Sequence, residues 1–312
     1  MPIIGPLSDY DSVLVRPPVR GVVRGEMGFA PEGIGDEFAV APSAMYGMRK
    51  LRVTYSGACI RLRNDDTDAE LDIGFDMDGA LDTATAATHL GASLGRIVTW
   101  YDQSLNGNHL TQATADDQPE YDPIGMDGTL PAAFFDRITS TNGYFLATPD
   151  AASLDFEGDM TMAMVLSFEA VNVGRQDIMQ KGGNGSTQGE FAYWIANNTA
   201  KPAVDRPFIE AGVGATNGMT VLGQTYVAAF TINSTTVSHF LDGAANGTDT
   251  LAVGAAAANH FRIGAGHFAG ASGQEDPMRG WIAELIIWES LTDADRQLAE
   301  DSMGAYYSVT IS

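Results

Sequence analysis

From residue 134 onward the chain falls into short apolar runs cut by glycine and asparagine, a rhythm that few architectures accommodate. Phe134-Phe135, Tyr144-Phe145-Leu146, Met160–Phe168, Phe191–Ile195, Thr225–Ile232, Val237–Leu241, Phe261–Ile263 and Trp281–Trp288 are short strand candidates. Asn142-Gly143, Gly182-Gly183-Asn184-Gly185, Asn217-Gly218, Asp242-Gly243 and Asn246-Gly247 separate them. Asn-Gly and Asp-Gly pairs adopt the left-handed conformations that tight hairpins need. Many short strands joined by such turns build an antiparallel sandwich, so the predicted fold class is all-β. No period of solenoid or propeller length is visible.

The front of the chain is less regular. Leu51, Val53 and Tyr55 alternate with Arg52 and Thr54, and Ile60 and Leu62 alternate with Arg61 and Arg63, which predicts two strands. Residues Leu81 to Leu94 predict a short helix with Asp82 or Thr83 as cap and Gly95 as stop. The strand Ile97–Tyr101 runs into DQSLNGNHL, where Asn106-Gly107 signals a turn. Thr292-Asp293-Ala294-Asp295 opens a short C-terminal helix that carries Leu298, Met303 and Tyr306. Residues 1–42 hold Pro2, Pro6, Pro17, Pro18, Pro31 and Pro42 among six glycines and lack any periodicity. They predict an extended arm that orders only against something else. The expected division is an arm over 1–42, a β-rich front over 43–133 and a jelly roll over 134–312.

Composition narrows function. Forty acids against 17 bases give a net charge of −23, the wrong sign for displacing counterions from nucleic acid or for an anionic membrane surface. No apolar run approaches the roughly 20 residues of a spanning helix, so no membrane insertion is expected. The start, MPIIGPLSDYDS, has neither a charged n-region nor an apolar h-region, so no secretion signal is expected. One cysteine, Cys59, precludes an intrachain disulfide. The charge is uneven, about +2 over residues 1–63 and −25 beyond them. That asymmetry suits docking of the front on other subunits of an assembly, and a homo-oligomer is expected.

Three stretches carry resemblances. FFDRITSTNGYFLATPDAASLDFEGDMTMAMVLSF (134–168) resembles the entry of a laminin-G-like, concanavalin A-like jelly roll. FRIGAGHFAGASGQEDPMRGWIAELIIWESLTDADRQLAEDSMGAYY (261–307) resembles its closing strand and helix, and Phe240-Leu241-Asp242-Gly243 sits where that family has a hairpin. MYGMRKLRVTYSGACIRLRNDDTDAELDIGF (45–75) with WYDQSLNGNHLTQATADDQPEY (100–121) resembles the front of the arabinofuranosidase B catalytic domain, itself an elaborated concanavalin A-like sandwich. The same run is similar to phage and bacterial surface proteins that carry a laminin-G-like half. The resemblance implies an antiparallel concanavalin A-like β-sandwich, a jelly roll with an extended N-terminal arm and a short C-terminal helix.

Retaining glycoside hydrolysis needs two carboxyl groups about 5–5.5 Å apart. The arabinofuranosidase resemblance implies a nucleophile in GEFAYWIAN, where Glu190 is the one candidate. It implies an acid/base in the segment matched by Arg262-Ile263-Gly264-Ala265-Gly266-His267, where no carboxylate stands. His267 is a different proton donor, and Glu275 or Asp276 would need a shifted loop. The family's vicinal cysteines are absent too. These departures lead to the expectation of no catalysis, Glu190 being the alternative nucleophile. Glu190, Trp194, His267, Glu275 and Asp276 are the expected glycan-binding residues, since a shallow lectin-like site needs one aromatic platform and a few polar groups. Tyr193 and Trp281 are further aromatic candidates, and Asp102, Asn106, Asn108 and His109 form either a sugar or ion site or a tight turn bonded through its side chains. The five histidines, His89, His109, His239, His260 and His267, lack metal-ligand spacing, so no cofactor is expected, and Ca²⁺ is the one ion that the acidic loops suit. The leading expectation is a structural virion protein, a fibre, spike or decoration subunit displayed on a phage particle, whose sandwich attaches to host-surface glycans. The alternatives are an arabinofuranosidase-like glycoside hydrolase and a bacterial surface adhesin.

Overall fold

The structure is a computed structural model that describes residues 33–171, 173–182, 189–196, 200–205, 213–251, 258–267 and 274–312. For residues 189, 190, 205, 213, 214, 249 and 267 it describes the backbone alone. Residues 1–32, most of the expected arm, lie outside the described residues. Residues 33–42 lie against the body. The amide N–H of Gly35 donates to Leu51 O (2.8 Å), Arg52 Nε donates to Asp36 Oδ1 (2.9 Å), and Phe38 packs edge-on against Trp288.

The fold is the expected all-β sandwich, with 18 strands among the described residues in one continuous antiparallel ladder and the helix Asp293–Tyr307 at its end. The ladder wraps into two layers because its strands alternate. In Met160–Phe168, Met160, Met162, Met164, Leu166 and Phe168 face one core, while Ala163 and Val165 face a second. Gly280–Trp288 divides the same way, with Ile282, Leu285 and Ile287 on one side and Ala283, Ile286 and Trp288 on the other. The larger core lies between the two layers. The smaller one lies under the C-terminal helix, whose Ala299, Met303 and Tyr307 meet Ile286 and Trp288. A strand buried on both faces reads as a continuous apolar run, which is why these two were clear in the sequence.

Around them the helix-side layer runs from Ala244–Thr250 through Thr236–Leu241, Tyr226–Asn233 and Met160–Phe168 to Gly280–Trp288. Ala44–Gly47 and Leu130–Phe135 share the far edge of that last strand. The opposite layer runs from Glu70–Ile73 through Ile60–Asn64, Gly95–Trp100, Leu110–Thr111 and Leu146–Thr148 to Phe261–Ile263. It continues through Gln176–Gly182, Gly189–Ile195 and Pro202–Asp205. Strands of the front and of the back therefore hydrogen-bond to one another in both layers.

Two local expectations change. The first helix spans Thr83–Leu90, capped by Asp82, whose carboxylate accepts from Thr85 N, and it ends at Gly91 rather than Gly95. Leu51–Tyr55 is not a strand, because the Leu51 N–H is taken by the Gln103 side chain (2.8 Å) and the ladder is entered earlier, at Ala44–Gly47. Among the described residues, no helix is long and apolar enough to cross a membrane.

Candidate functional site

The second layer turns its apolar side chains inward and leaves an outer face of another character. Phe191, Tyr193 and Ile195 join the main core, so Ala192 and Trp194 point outward. Trp194 stands opposite Asp177 in the ladder, Ala192 opposite Gln180, and Gln180 opposite Arg262 on the next strand. A bulge between Asp177 and Met179 lets Ile178 and Met179 both enter the core while Asp177 and Gln180 keep the outer side.

This face is covered rather than open, and Asp177 is 3% exposed. The short hairpin of Gly266–His267 and Gln274–Glu275 belongs to that cover, with Gly266 opposite Glu275. A Cβ on Gly266 would lie well inside contact distance of Asp177 Oδ2 and 2.9 Å from Gln180 Oε1. The Asp177 carboxyl thus fills the side-chain space of position 266. Its N–H donates to Asp276 O (2.7 Å), and it bridges to Pro277. Arg175 Nε donates to Asp177 Oδ1 (2.6 Å), and the same guanidinium lies over the Trp194 ring, 4.4 Å from its centre.

Burial dominates the electrostatics. It pushes the Asp177 carboxyl up to about 7, with Asp276 and Glu275 adding in the same direction and Arg175 opposing. Burial and Asp276 also raise Glu275, against Arg175. Asp276 is pinned: its backbone is left-handed at φ +44°, its N–H donates to Ser140 O (2.9 Å), and Arg137 reaches its carboxylate at 3.4 Å. Arg137 also donates to the carbonyls of Arg175 (2.8 Å) and Pro277 (2.9 Å), tying the start of the Asp177 strand to the turn after Glu275. Deeper in, Arg262 lies over Phe145 at 4.1 Å and donates to Gly266 O (3.1 Å); burial lowers its guanidinium to about 10 against the pull of Asp117.

The residues singled out in the sequence separate accordingly. Trp194, Glu275 and Asp276 come together around Arg175 and Asp177. Glu190 lies on the strand beside them, in the irregular step between the Lys181–Phe191 and Gly182–Gly189 pairs, and His267 follows Gly266; the side chains of both are outside the described residues. Tyr193 is fully buried in the main core. Trp281 sits in the other layer, where its ring packs on Phe134 and its Nε1–H donates to Asp122 (2.9 Å).

Asp102 serves a turn: it accepts from the amides of Met45 (2.9 Å), Ser104 (2.8 Å) and Asn108 (3.0 Å), while its own N–H donates to His109 Nδ1 (3.1 Å). Among the described residues, no group of three or more histidine, cysteine or acidic side chains is placed to hold a metal ion. Arg175 and Asp177 went unnoticed in the sequence, and Gly266 was read only as part of the 262–267 segment. The one signal was an Arg-x-Asp spacing, which puts both side chains on one face of a strand.

The two-layer jelly roll thus carries a buried carboxyl, an indole and guanidinium groups on one sheet face. The chain belongs to the concanavalin A-like lectin/glucanases superfamily, matching its laminin-G-like family (Laminin_G_3) over residues 139–296. Among solved structures it is similar to an arabinofuranosidase complexed with arabinofuranosyl-α-1,2-xylobiose, at TM-score 0.65 and 17% identity. It is similar also to a GH54 α-L-arabinofuranosidase soaked with a cyclic sulfate inhibitor, at TM-score 0.68 and 15% identity. A variant of a GH54 arabinofuranosidase soaked with 4-nitrophenyl α-L-arabinofuranoside matches at TM-score 0.61 and 16% identity. Each match covers 89% of this chain and 65% of the other, so the chain spans about two thirds of the length of these enzymes. No curated protein sequence matches. At such identity the shared property is the fold, and it extends through the front strands as well as the jelly roll.

The expectation of a non-enzymatic virion protein is therefore corrected. The chain shares its architecture with glycoside hydrolases over nearly its whole described length. The argument against catalysis rested on the missing carboxylate in residues 262–267 and on the missing vicinal cysteines; the fold brings the Asp177 carboxyl to that segment from another strand, while Cys59 remains the one cysteine of the sequence.

Proposed function

We propose that the protein is a glycoside hydrolase of the arabinofuranosidase kind, acting on a glycan through two carboxyl groups. The observation that supports this most directly is the gathering of Asp177, Glu275 and Asp276 around the 262–267 segment, within a fold held in common with arabinofuranosidases. In such a reaction one carboxyl group gives a proton to the glycosidic oxygen as its bond to the anomeric carbon breaks. A second, ionised, attacks that carbon and forms a glycosyl ester, which water then hydrolyses while the first takes up the water's proton. The two groups must sit in unlike surroundings, so that one keeps its proton where the other has lost it.

Glu190 is the nucleophile in this reading. The acid comes from the cluster beside it. Trp194 is the platform for the sugar ring, and Glu275, Asp276 and His267 supply polar contacts at the rim.

The reading is tested with 4-nitrophenyl α-L-arabinofuranoside. The expected result is turnover that Glu190→Gln abolishes, with retention of anomeric configuration followed by proton NMR. Absence of turnover with this and other aryl furanosides, or a rate that Glu190→Gln leaves intact, would overturn it.

A further inference from the structure

We propose that a polar cleft beside residues 308–310 is a second glycan-binding site, which anchors a neutral polysaccharide while the opposite layer acts on it. The inference rests on the hydrolase reading for the kind of ligand. The surface itself is new: it lies on the helix-side layer and shares no residue with the cluster around Asp177.

The cleft holds about 300 Å³, the lower end of the range for small-molecule sites. Four separate stretches meet there. Asp127 comes from the turn between Glu120–Met126 and Leu130–Phe135, and Gln224 and Thr225 from the approach to Tyr226–Asn233. Asp242 comes from the turn after Thr236–Leu241, and Ser308 and Thr310 from the segment that follows the C-terminal helix. The walls are braced. Thr225, 3% exposed, donates its hydroxyl to Asp127 Oδ1 (3.0 Å). Asp242 exchanges two bonds with Val227: its N–H donates to Val227 O (2.8 Å), and its Oδ1 accepts from Val227 N (2.9 Å). The N–H of Ser312 donates to Asp242 O (3.0 Å), and Gly243, left-handed at φ +81°, leaves the room that Ile311 takes. The segment after the helix is thereby seated against the turn.

What the walls leave unused decides the ligand. The second carboxylate oxygens of Asp127 and Asp242 receive no hydrogen bond from a described residue, and no described lysine or arginine pairs with either group. The side chains of Gln224, Ser308 and Thr310 are likewise bonded to no described residue. The cleft therefore offers two carboxylates that only accept, an amide that donates and accepts, and two hydroxyls that do either. That mixture suits a polyhydroxylated ligand, whose hydroxyls each give one bond and take another. An anion would meet no cation in the wall and a net charge of −23 behind it. An apolar ligand would strand both carboxylates. Among the described residues the two acids belong to no group large enough to hold a metal ion. Val221 and Leu222 share a turn with Gln224, whose N–H donates to Val221 O (3.4 Å), and are 55% and 54% exposed. They place an apolar step next to the polar wall, as the C–H face of a sugar ring requires. A polysaccharide held here is bound at two points, and even a weak second point raises its effective concentration at the first.

The test runs the full chain through native gels that contain soluble arabinoxylan or linear arabinan at graded concentrations. Retardation by at least one of them is expected. Asp127→Asn and Asp242→Asn keep the oxygens that Thr225 and Val227 bond and turn the free ones into amide donors. Combined with Gln224→Ala, they should raise the apparent Kd about tenfold, the worth of one or two hydrogen bonds. Thr310→Ala, at an exposed position away from the braced turns, should give a smaller rise in a protein whose fold it does not touch. The triple variant should hydrolyse 4-nitrophenyl α-L-arabinofuranoside, too small to reach both layers, at the wild-type rate, and should lose kcat/KM on the polymer alone. No retardation by either polysaccharide, or retardation that the variants keep, would overturn the second site, and turnover of the aryl glycoside would leave the hydrolase reading in place. Thermal stabilisation by spermidine that the triple variant loses, without retardation, would overturn it too, giving the cleft to an organic cation. Retardation of a protein that turns over no aryl furanoside would overturn the hydrolase reading alone.

Discussion

Arg175 shows how much one side chain can carry in this site. Its guanidinium bonds Asp177 and covers the Trp194 ring, and it draws the Asp177 carboxyl back toward the ordinary aspartate range. Arg175→Gln should therefore raise the pH at which Asp177 releases its proton, as followed by infrared difference spectra of the carboxyl band. The same carboxyl links protonation to stability. Its native value of about 7 exceeds the roughly 3.9 of an unfolded aspartate, so between those limits the native state holds a proton that the unfolded chain has released. Stability from this group is complete below about pH 4 and falls as pH rises toward 7. Asp177→Asn should flatten that slope, recovering on the order of a few kcal/mol at neutral pH in urea unfolding. A slope unchanged by the substitution would show that the carboxyl is ionised in the native protein.

Among the elements, the sequence was clearest where a strand is apolar on both faces and least clear where a strand is polar yet buried. Gln176–Gly182 contains Gln176, Asp177, Gln180 and Lys181, and all four are buried. Read alone, such a segment resembles a loop. It is a strand because Gln176 bonds the backbone at Ala170 and Arg279, Lys181 pairs with Asp150 and Asp155, and Asp177 pairs with Arg175, all partners supplied by the fold. Glu120–Met126 was missed for a related reason. Pro123 and Gly125 interrupt it, and the ladder absorbs them as an irregular step between Asp122 and Met126. The C-terminal helix needed no such help, since its start signal is local: Thr292 accepts from Asp295 N (3.1 Å), and Asp293 and Asp295 occupy the first turn. Thr292→Ala should cost about 1 kcal/mol in equilibrium denaturation, with the fold retained. A loss well above about 2 kcal/mol would mean that the threonine braces the helix against the sheet as well as capping it.

For the molecule as a whole, net charge decides which glycans come near the site. At −23 the protein repels polyanions. Neutral oligosaccharides should be hydrolysed with higher kcat/KM than sulfated or uronate-bearing ones of the same linkage, and the difference should narrow as salt shortens the reach of the field. Equal rates on both at low salt would refute the electrostatic selection.

The sandwich itself was settled by local chemistry, because alternation, turn residues and helix caps act over a few residues and leave their pattern in the order of the chain. Trp194, Glu275 and Asp276 were visible for the same reason: each belongs to a segment whose type could be read. Asp177 was not. Asp177 and Gly266 are 89 residues apart, and their relation is a shared volume, which exists only once two strands and a hairpin have packed. A carboxyl in the order of residues has a type but no environment. Burial, the bond from Arg175 and the absence of a side chain at 266 make up that environment, and tertiary packing alone supplies all three.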